Sequence, residues 1–355
     1  MNKPNAVVVG YGFAGRCFHA YLVGITADLN LYGVVSGRPE AREEVRSQLG
    51  VKAFERFEEA LADSNVDLVV LATPNDLHAP QAIAAMEAGK HVVADKPMCL
   101  NLQEADDMIA ASRKTGRLLS IFQNRRWDGD YLTVRKVLEE GLIGDPYYIE
   151  MAWQQYGPPR TWRGERQRGG GKFVDLGAHM IDQALQLIRA PLDRVYARFF
   201  SKGWPTEVED HAHCILSFDS GVDVHVVTSS LSTHSKPRWY VLGTKGGLVK
   251  TGLDPQEKAM VAGDIDAARE DPVHYPRLWT AVAGQPAETV IEPVPGRWRF
   301  YYENIAAAIR GTEELAVTPE SVRAVMAVLA AARTSVERGE AVSLDETAGS
   351  SGSGA

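Results

Sequence analysis

The 355-residue chain carries 38 Lys and Arg against 46 Asp and Glu, a net charge of −8, and 45% hydrophobic residues. This is the composition of an ordinary globular protein with room for two cores, and its acidic balance argues against nucleic acid or an anionic membrane surface as the main partner. Cys17, Cys99 and Cys214 are odd in number, far apart and without CxxC spacing, which suits reduced thiols in a cytoplasm rather than a disulfide framework. The first ten residues run directly into a strand, so no signal peptide is expected, and no apolar run is long enough to span a bilayer. The segment Gly349–Ala355, GSSGSGA, reads as a flexible tail.

Ala6–Val9 reads as a buried strand, followed at once by Gly10-Tyr11-Gly12-Phe13-Ala14-Gly15 and an apolar helix over Arg16–Val23. A GxGxxG between strand and helix is a dinucleotide fingerprint: Gly10 for the tight turn, Gly12 for backbone approach to a pyrophosphate, Gly15 for helix–strand packing. The helix N-terminus then offers free N–H groups to the phosphates. A second strand, Leu31–Ser36, ends in Ser36-Gly37-Arg38. An NAD-preferring site places a carboxylate there for the ribose 2′-hydroxyl. A hydroxyl and a guanidinium are instead the partners of a 2′-phosphate, so NADP is expected over NAD.

The alternation continues through the strand Val66–Ala72, the turn Thr73-Pro74-Asn75, the helix Ala79–Ala88 opened by His78, the strand His91–Ala94 and the strand Leu118–Phe122. This βαβα order predicts a doubly wound parallel sheet, a Rossmann domain over residues 1–122. Asp95-Lys96-Pro97 stops the strand His91–Ala94 at its carboxyl end, where ligands bind in open α/β sheets. Read alone, Asp95 and Lys96 are also compatible with a plain surface ion pair.

Asn124-Arg125-Arg126-Trp127-Asp128 is expected to start a helix running through Leu138. The pattern then changes to strands, Tyr147–Gln155, Arg194–Phe200, His211–Phe218, Val222–Ser230 and Arg238–Leu242, and predicts an α+β domain on a large, mostly antiparallel sheet over 123–345, before a tail over 346–355. Tyr156–Lys172, rich in Gly, Pro, Arg and Trp, reads as an active-site loop. Helices are expected over Phe173–Ile188, Phe300–Arg310 and Pro319–Glu337. Asp175 and His179 are four apart on the first of these, the spacing at which a carboxylate orients an imidazole, although an ordinary helix pair has the same spacing. Asp182 lies too far round that helix to share the task. His211 and His213 share a strand face without a third ligand at metal spacing, so no metal is expected.

The motifs GYGFAG, ATPND with the later His78, ADKP, FQNRRWD at Phe122–Asp128 and GGG…DLGAHMID at Gly169–Asp182 together resemble the glucose–fructose oxidoreductase/inositol dehydrogenase (Gfo/Idh/MocA) family over nearly the whole chain. Phe18-His19-Ala20-Tyr21-Leu22 and Asn124–Asp128 are similar to its NADP-dependent scyllo-inositol dehydrogenase branch. The family's usual Glu-Lys-Pro is Asp-Lys-Pro here.

The resemblance implies that Lys96, Asp175 and His179 meet a polyol or sugar beside the nicotinamide, and that the second domain's sheet makes subunit contacts, as a homodimer or homotetramer in the cytoplasm. His179, oriented by Asp175, is then the base for the hydroxyl proton, and Lys96 the donor to the same oxygen. Trp162 and Arg163 are expected to close over the cofactor, and Arg126, Trp127 and Tyr156 to line the sugar side. Gly10, Gly12, Phe13, Ala14, Gly15, Ser36, Arg38, Thr73, Pro74, Asn75, His78, Asp95, Lys96 and Asn124 complete the expected cofactor contacts. An anhydro-keto-sugar reductase, a non-catalytic nucleotide sensor and a redox-assisted lyase with tightly held NAD stand as alternatives.

Overall fold

The computed structural model describes residues 3–344 apart from Arg160 and Ala283; the tail expected over 346–355 lies outside the described residues. The chain divides into two compact units. The first holds the chain up to Asn124 together with Gln256–Ala268 and Arg297–Arg323, and the second holds Arg125–Pro255, Arg269–Gly296 and the chain from Ala324.

In the first unit six parallel strands, β1 (Asn5–Val9), β2 (Asn30–Val35), β3 (Lys52–Phe54), β4 (Leu68–Leu71), β5 (His91–Ala94) and β6 (Leu119–Ile121), lie in the order β3-β2-β1-β4-β5-β6. The order reverses between β1 and β4, and a doubly wound sheet binds its ligand at the carboxyl ends beside such a switch. Covered on both faces, the central strands are continuous apolar runs: Val7, Val8, Val69, Val70, Val92 and Val93 are fully buried. The helix expected over Arg16–Val23 starts earlier and opens π-wound over Ala14–Ala20, becoming α-helical over Tyr21–Ile25.

The boundary drawn at residue 122 divides the sequence once, whereas the first unit also takes in two later segments. The reason lies in aromatic side chains. In the helix Arg299–Ile309, Tyr301 and Tyr302 are buried; the Tyr301 hydroxyl donates to Ser120 Oγ at 2.9 Å, and Ser120 donates to the Val317 carbonyl at 2.9 Å. Trp298, also buried, stacks on Phe18 at 5.8 Å.

The second unit carries an eight-stranded sheet of β7 (Pro146–Gln154), β8 (Leu192–Phe200), β9 (His211–Phe218), β10 (Asp223–Ser229), β11 (Trp239–Gly243), β12 (Gly246–Lys250), β13 (Arg277–Val282) and β14 (Gln285–Val290), in the order β14-β13-β12-β11-β7-β10-β9-β8. Among the described residues of this sheet only β7 and β10 pair in parallel. On β9 the residues Ala212, Cys214, Leu216 and Phe218 are buried and their alternates half-buried, the signature of a sheet with one face on a core. Strands β12 to β14 escaped the sequence pattern: β12 opens on two glycines, and β14, QPAETV, is a polar edge strand containing proline.

The helix expected from Asn124 is broken. A 3₁₀ turn over Asn124–Trp127 precedes Asp128, whose extended backbone (ψ 136°) delays the α-helix to Gly129–Glu139. Among the described residues no helix is long and apolar enough to cross a membrane.

Candidate functional site

A cleft of about 470 Å³ in the first unit is lined by Val9, Gly10, Tyr11 and Gly12 after β1, Val35, Ser36, Gly37 and Arg38 after β2, Phe57, and Thr73 with Gln81 after β4. Sequence reasoning found its glycines, Ser36, Arg38 and Thr73. It missed Phe57 and Gln81, which reach the cleft only through tertiary packing; Thr73 Oγ1 donates to Gln81 at 2.8 Å.

The glycine loop is built by contact. A Cβ on Gly15 would fall 1.9 Å from the Gly10 carbonyl oxygen, so helix and turn meet only if this residue is glycine. Gly12 differs: a Cβ there meets no protein atom within 4 Å, so nothing in the chain requires glycine, whereas a pyrophosphate drawn close to the backbone does. Arg38 Nη2 donates to the Tyr11 carbonyl at 2.7 Å, which draws its guanidinium over the glycine loop, and Ser36 Oγ accepts the Arg38 N–H at 3.3 Å. These residues fit a dinucleotide. Phe13 is exposed, with its ring edge on Phe18 at 5.7 Å; Ala14 is half-buried at the helix start.

At the end of β5, Asp95 Oδ1 accepts the backbone N–H of Lys96 at 2.8 Å, while Oδ2 faces His19 Nε2 at 3.5 Å. Burial pushes the Asp95 pKa up, but His19 and the charge of Lys96 outweigh it and hold the carboxyl below its usual value. Lys96 is half-buried and joined to Pro97 by a cis peptide bond. His78 was expected to touch the cofactor. It is fully buried between the loops after β4 and β5, with Nδ1 2.9 Å from the Pro97 carbonyl and Nε2 3.0 Å from the Thr73 carbonyl, and burial lowers its pKa, so its single neutral N–H donates to one of the two. Pro74 is half-buried, Asn75 buried. Asn124 is buried too, its Nδ2 without a hydrogen-bond partner.

In the second unit the helix carrying Asp175 and His179 opens π-wound over Phe173–Gly177 and becomes α-helical over Ala178–Leu187. The pair therefore straddles a change of winding and is not on one regular helical face. Asp175 Oδ2 lies 3.5 Å from Arg163 Nε, and the Arg163 guanidinium covers the Trp162 ring at 4.7 Å. Gly170 lets this loop close: a Cβ there would fall 2.5 Å from the Arg163 carbonyl oxygen. His179, 5% exposed, stacks on Trp153 at 6.4 Å and 25°, and Arg125 lies over the same indole at 4.3 Å. Trp153, a neighbour of His179, was not found by the sequence reading; the contact joins a strand to a helix and leaves no local pattern.

Arg126, expected beside the sugar, is buried, its guanidinium forked onto Asp182 at 2.8 Å and 2.6 Å. Asp182 thus anchors the helix that also carries Asp175 and His179. Breaking a buried pair leaves an uncompensated charge, so Arg126→Ala should destabilise the fold by about 3–5 kcal/mol. Thermal unfolding checks this; parental stability with a raised KM would return Arg126 to the substrate side. Trp127 is half-buried. Tyr156, 64% exposed, meets Trp204 edge-on at 5.5 Å. His213 Nε2 and His225 Nδ1 lie 2.9 Å apart, and burial, then His225, pushes the His213 pKa down. Among the described residues no group of three or more His, Cys, Asp or Glu is arranged to hold a metal ion.

Two family models match the chain: "Oxidoreductase family, NAD-binding Rossmann fold" over residues 5–123, and "GFO/IDH/MocA C-terminal domain" over residues 131–249. The chain is 35% identical over 329 residues to the uncharacterized oxidoreductase YdgJ of Escherichia coli, covering 91% of this chain and 93% of that protein. It is 30% identical over 344 residues to the scyllo-inositol 2-dehydrogenase (NADP(+)) IolW of Bacillus subtilis, covering 95% of each. The solved structure of yvaA from Bacillus subtilis superposes with a TM-score of 0.90 at 29% identity, over 96% of this chain and 98% of that one. With a switch-point nucleotide cleft, a lysine at the end of β5 and both family models in sequence, the chain belongs to the GFO/IDH/MocA family of oxidoreductases.

Proposed function

We propose that this oxidoreductase moves hydride between NADP(H) and a secondary alcohol or ketone on a cyclic polyol or sugar ring, with scyllo-inositol as the first compound to test. The observation that carries the reading is the cleft itself, where Ser36 and Arg38 replace an acidic residue at the end of β2 and Arg38 is drawn over the glycine loop. The name of the Bacillus subtilis relative supports it in both substrate and cofactor.

When bound, the nicotinamide supplies the hydride acceptor or donor. In this reading the chain's residues handle the proton and the developing charge. His179, with Asp175 on its helix and Trp153 against its ring, takes the hydroxyl proton during oxidation and returns it during reduction. Lys96 donates to the same oxygen and stabilises its negative charge. Trp162 and Arg163 are the second unit's candidates for the cofactor, and Tyr156 and Trp127 its candidates for the polyol. Arg126 acts indirectly, by fixing the helix through Asp182.

The test is NADP⁺ reduction across inositols, aldoses and anhydro-sugars, followed by NAD⁺ with the best of them. A higher kcat/KM with NADP⁺ is expected. Arg38→Ala should weaken NADP(H) binding by about tenfold to a hundredfold, the loss of a charge-assisted hydrogen bond, while sparing NAD(H). Equal kcat/KM for the two cofactors in the parent protein would contradict the NADP assignment.

A further inference from the structure

His19 belongs to no cofactor contact, yet it is fully buried with both ring nitrogens directed at polar atoms of the first unit. Nδ1 lies 2.7 Å from the Tyr302 hydroxyl. Nε2 has no hydrogen-bond partner within normal range, and the nearest charged group is Asp95 Oδ2 at 3.5 Å. The Phe122 ring packs on the imidazole at 4.5 Å and closes off water. Leaving a buried N–H without an acceptor costs about 1–3 kcal/mol, so the tautomer that fits points Nε2–H at Asp95 and lets Nδ1 accept the Tyr302 O–H. The other oxygen of Asp95 receives the Lys96 backbone N–H.

We propose that His19, clamped by Tyr302, is a positioning residue: it holds the Asp95 carboxylate against the backbone N–H of Lys96 and thereby fixes the turn that aims the lysine. This rests on the role proposed for Lys96. Tyr302 comes from a segment 283 residues away in sequence, so the helix Arg299–Ile309 contributes to the strand end through one hydroxyl.

Two readouts separate positioning from general loosening. The first is acetylation of the full-length protein by a water-soluble ester, followed by mass spectrometry at Lys96 and at Lys90. Lys90 is the internal control, buried in the same unit and donating to the Asp63 and Val66 carbonyls at 2.9 Å each. His19→Leu should speed labelling of Lys96 by about fivefold relative to Lys90, and His19→Gln, whose amide can donate to Asp95 and accept from Tyr302, should restore the parental ratio. The second is turnover of scyllo-inositol with NADP⁺, or of the best substrate from the polyol screen. There His19→Leu should lower kcat at least about tenfold with little change in NADPH affinity, and His19→Gln should recover most of it. Tyr302→Phe should fall between, and serves if His19→Leu does not fold.

An unchanged labelling ratio in the Leu and Phe variants, or equal acceleration at Lys96 and Lys90, overturns the positioning role. A changed labelling ratio with parental kcat keeps His19 as the clamp on the turn and removes Lys96 from the chemistry, so the two claims fail separately.

Discussion

Lys96→Met should lower kcat for polyol oxidation by on the order of a hundredfold to a thousandfold, the usual cost of one preorganised donor to a developing oxyanion. NADP(H) affinity should stay near parental, because the cleft around Gly10, Ser36 and Arg38 is built without this side chain. Methionine keeps the length and removes the charge, so Asp95 retains the backbone N–H it accepts and His19 retains its partner. His179→Ala should cost a similar factor. If both side chains serve one oxygen, the double variant should be less damaged than the product of the single losses. Steady-state rates with parallel NADPH titrations measure this, and near-parental kcat in a folded Lys96→Met protein would leave Lys96 as a strand-end cation.

Gly15→Ala should disrupt the nucleotide cleft from within. Its Cβ would fall 1.9 Å from the Gly10 oxygen and 2.9 Å from the Gly10 carbonyl carbon, both backbone atoms that no side-chain rotation relieves. Overpacking of this kind costs about 1–3 kcal/mol, and the required shift moves the turn that meets the phosphates, so stability and NADPH affinity should fall together. Gly12→Ala is the contrast. Its Cβ meets no protein atom within 4 Å, so thermal unfolding should be parental while NADPH binding weakens by about tenfold or more, as backbone approach is blocked. Parental stability and affinity in Gly15→Ala would contradict the packing argument; tight binding in Gly12→Ala would contradict the placement of the pyrophosphate.

Legibility in the sequence followed the range of each interaction. Gly10, Gly12 and Gly15 are fixed by backbone geometry inside six residues, and Asp95-Lys96-Pro97 by the end of a strand that had to be buried; both lie where the pattern put them. Ser36 and Arg38 were readable because position after β2 carries the cofactor logic. Contacts that join distant segments left no pattern. Arg126 and Asp182 are 56 residues apart, so the buried ion pair they form is visible in neither segment alone. Trp153 lies unremarked inside an expected strand, and its stack on His179 depends on β7 packing against a helix. Likewise, the edge strand β14 has polar, exposed residues because an edge has no second neighbour to bury them.

The most direct test is the fate of the hydrogen on the reacting carbon. Scyllo-inositol deuterated at its ring carbons, and then the best substrate of the polyol screen in deuterated form, would be incubated with NADP⁺ and the protein, and the nucleotide recovered for mass spectrometry. Hydride transfer predicts one deuterium gained by the nicotinamide for each ketone formed, with none in the Lys96→Met protein on the same timescale. Product formed while the nicotinamide stays unlabelled would contradict it.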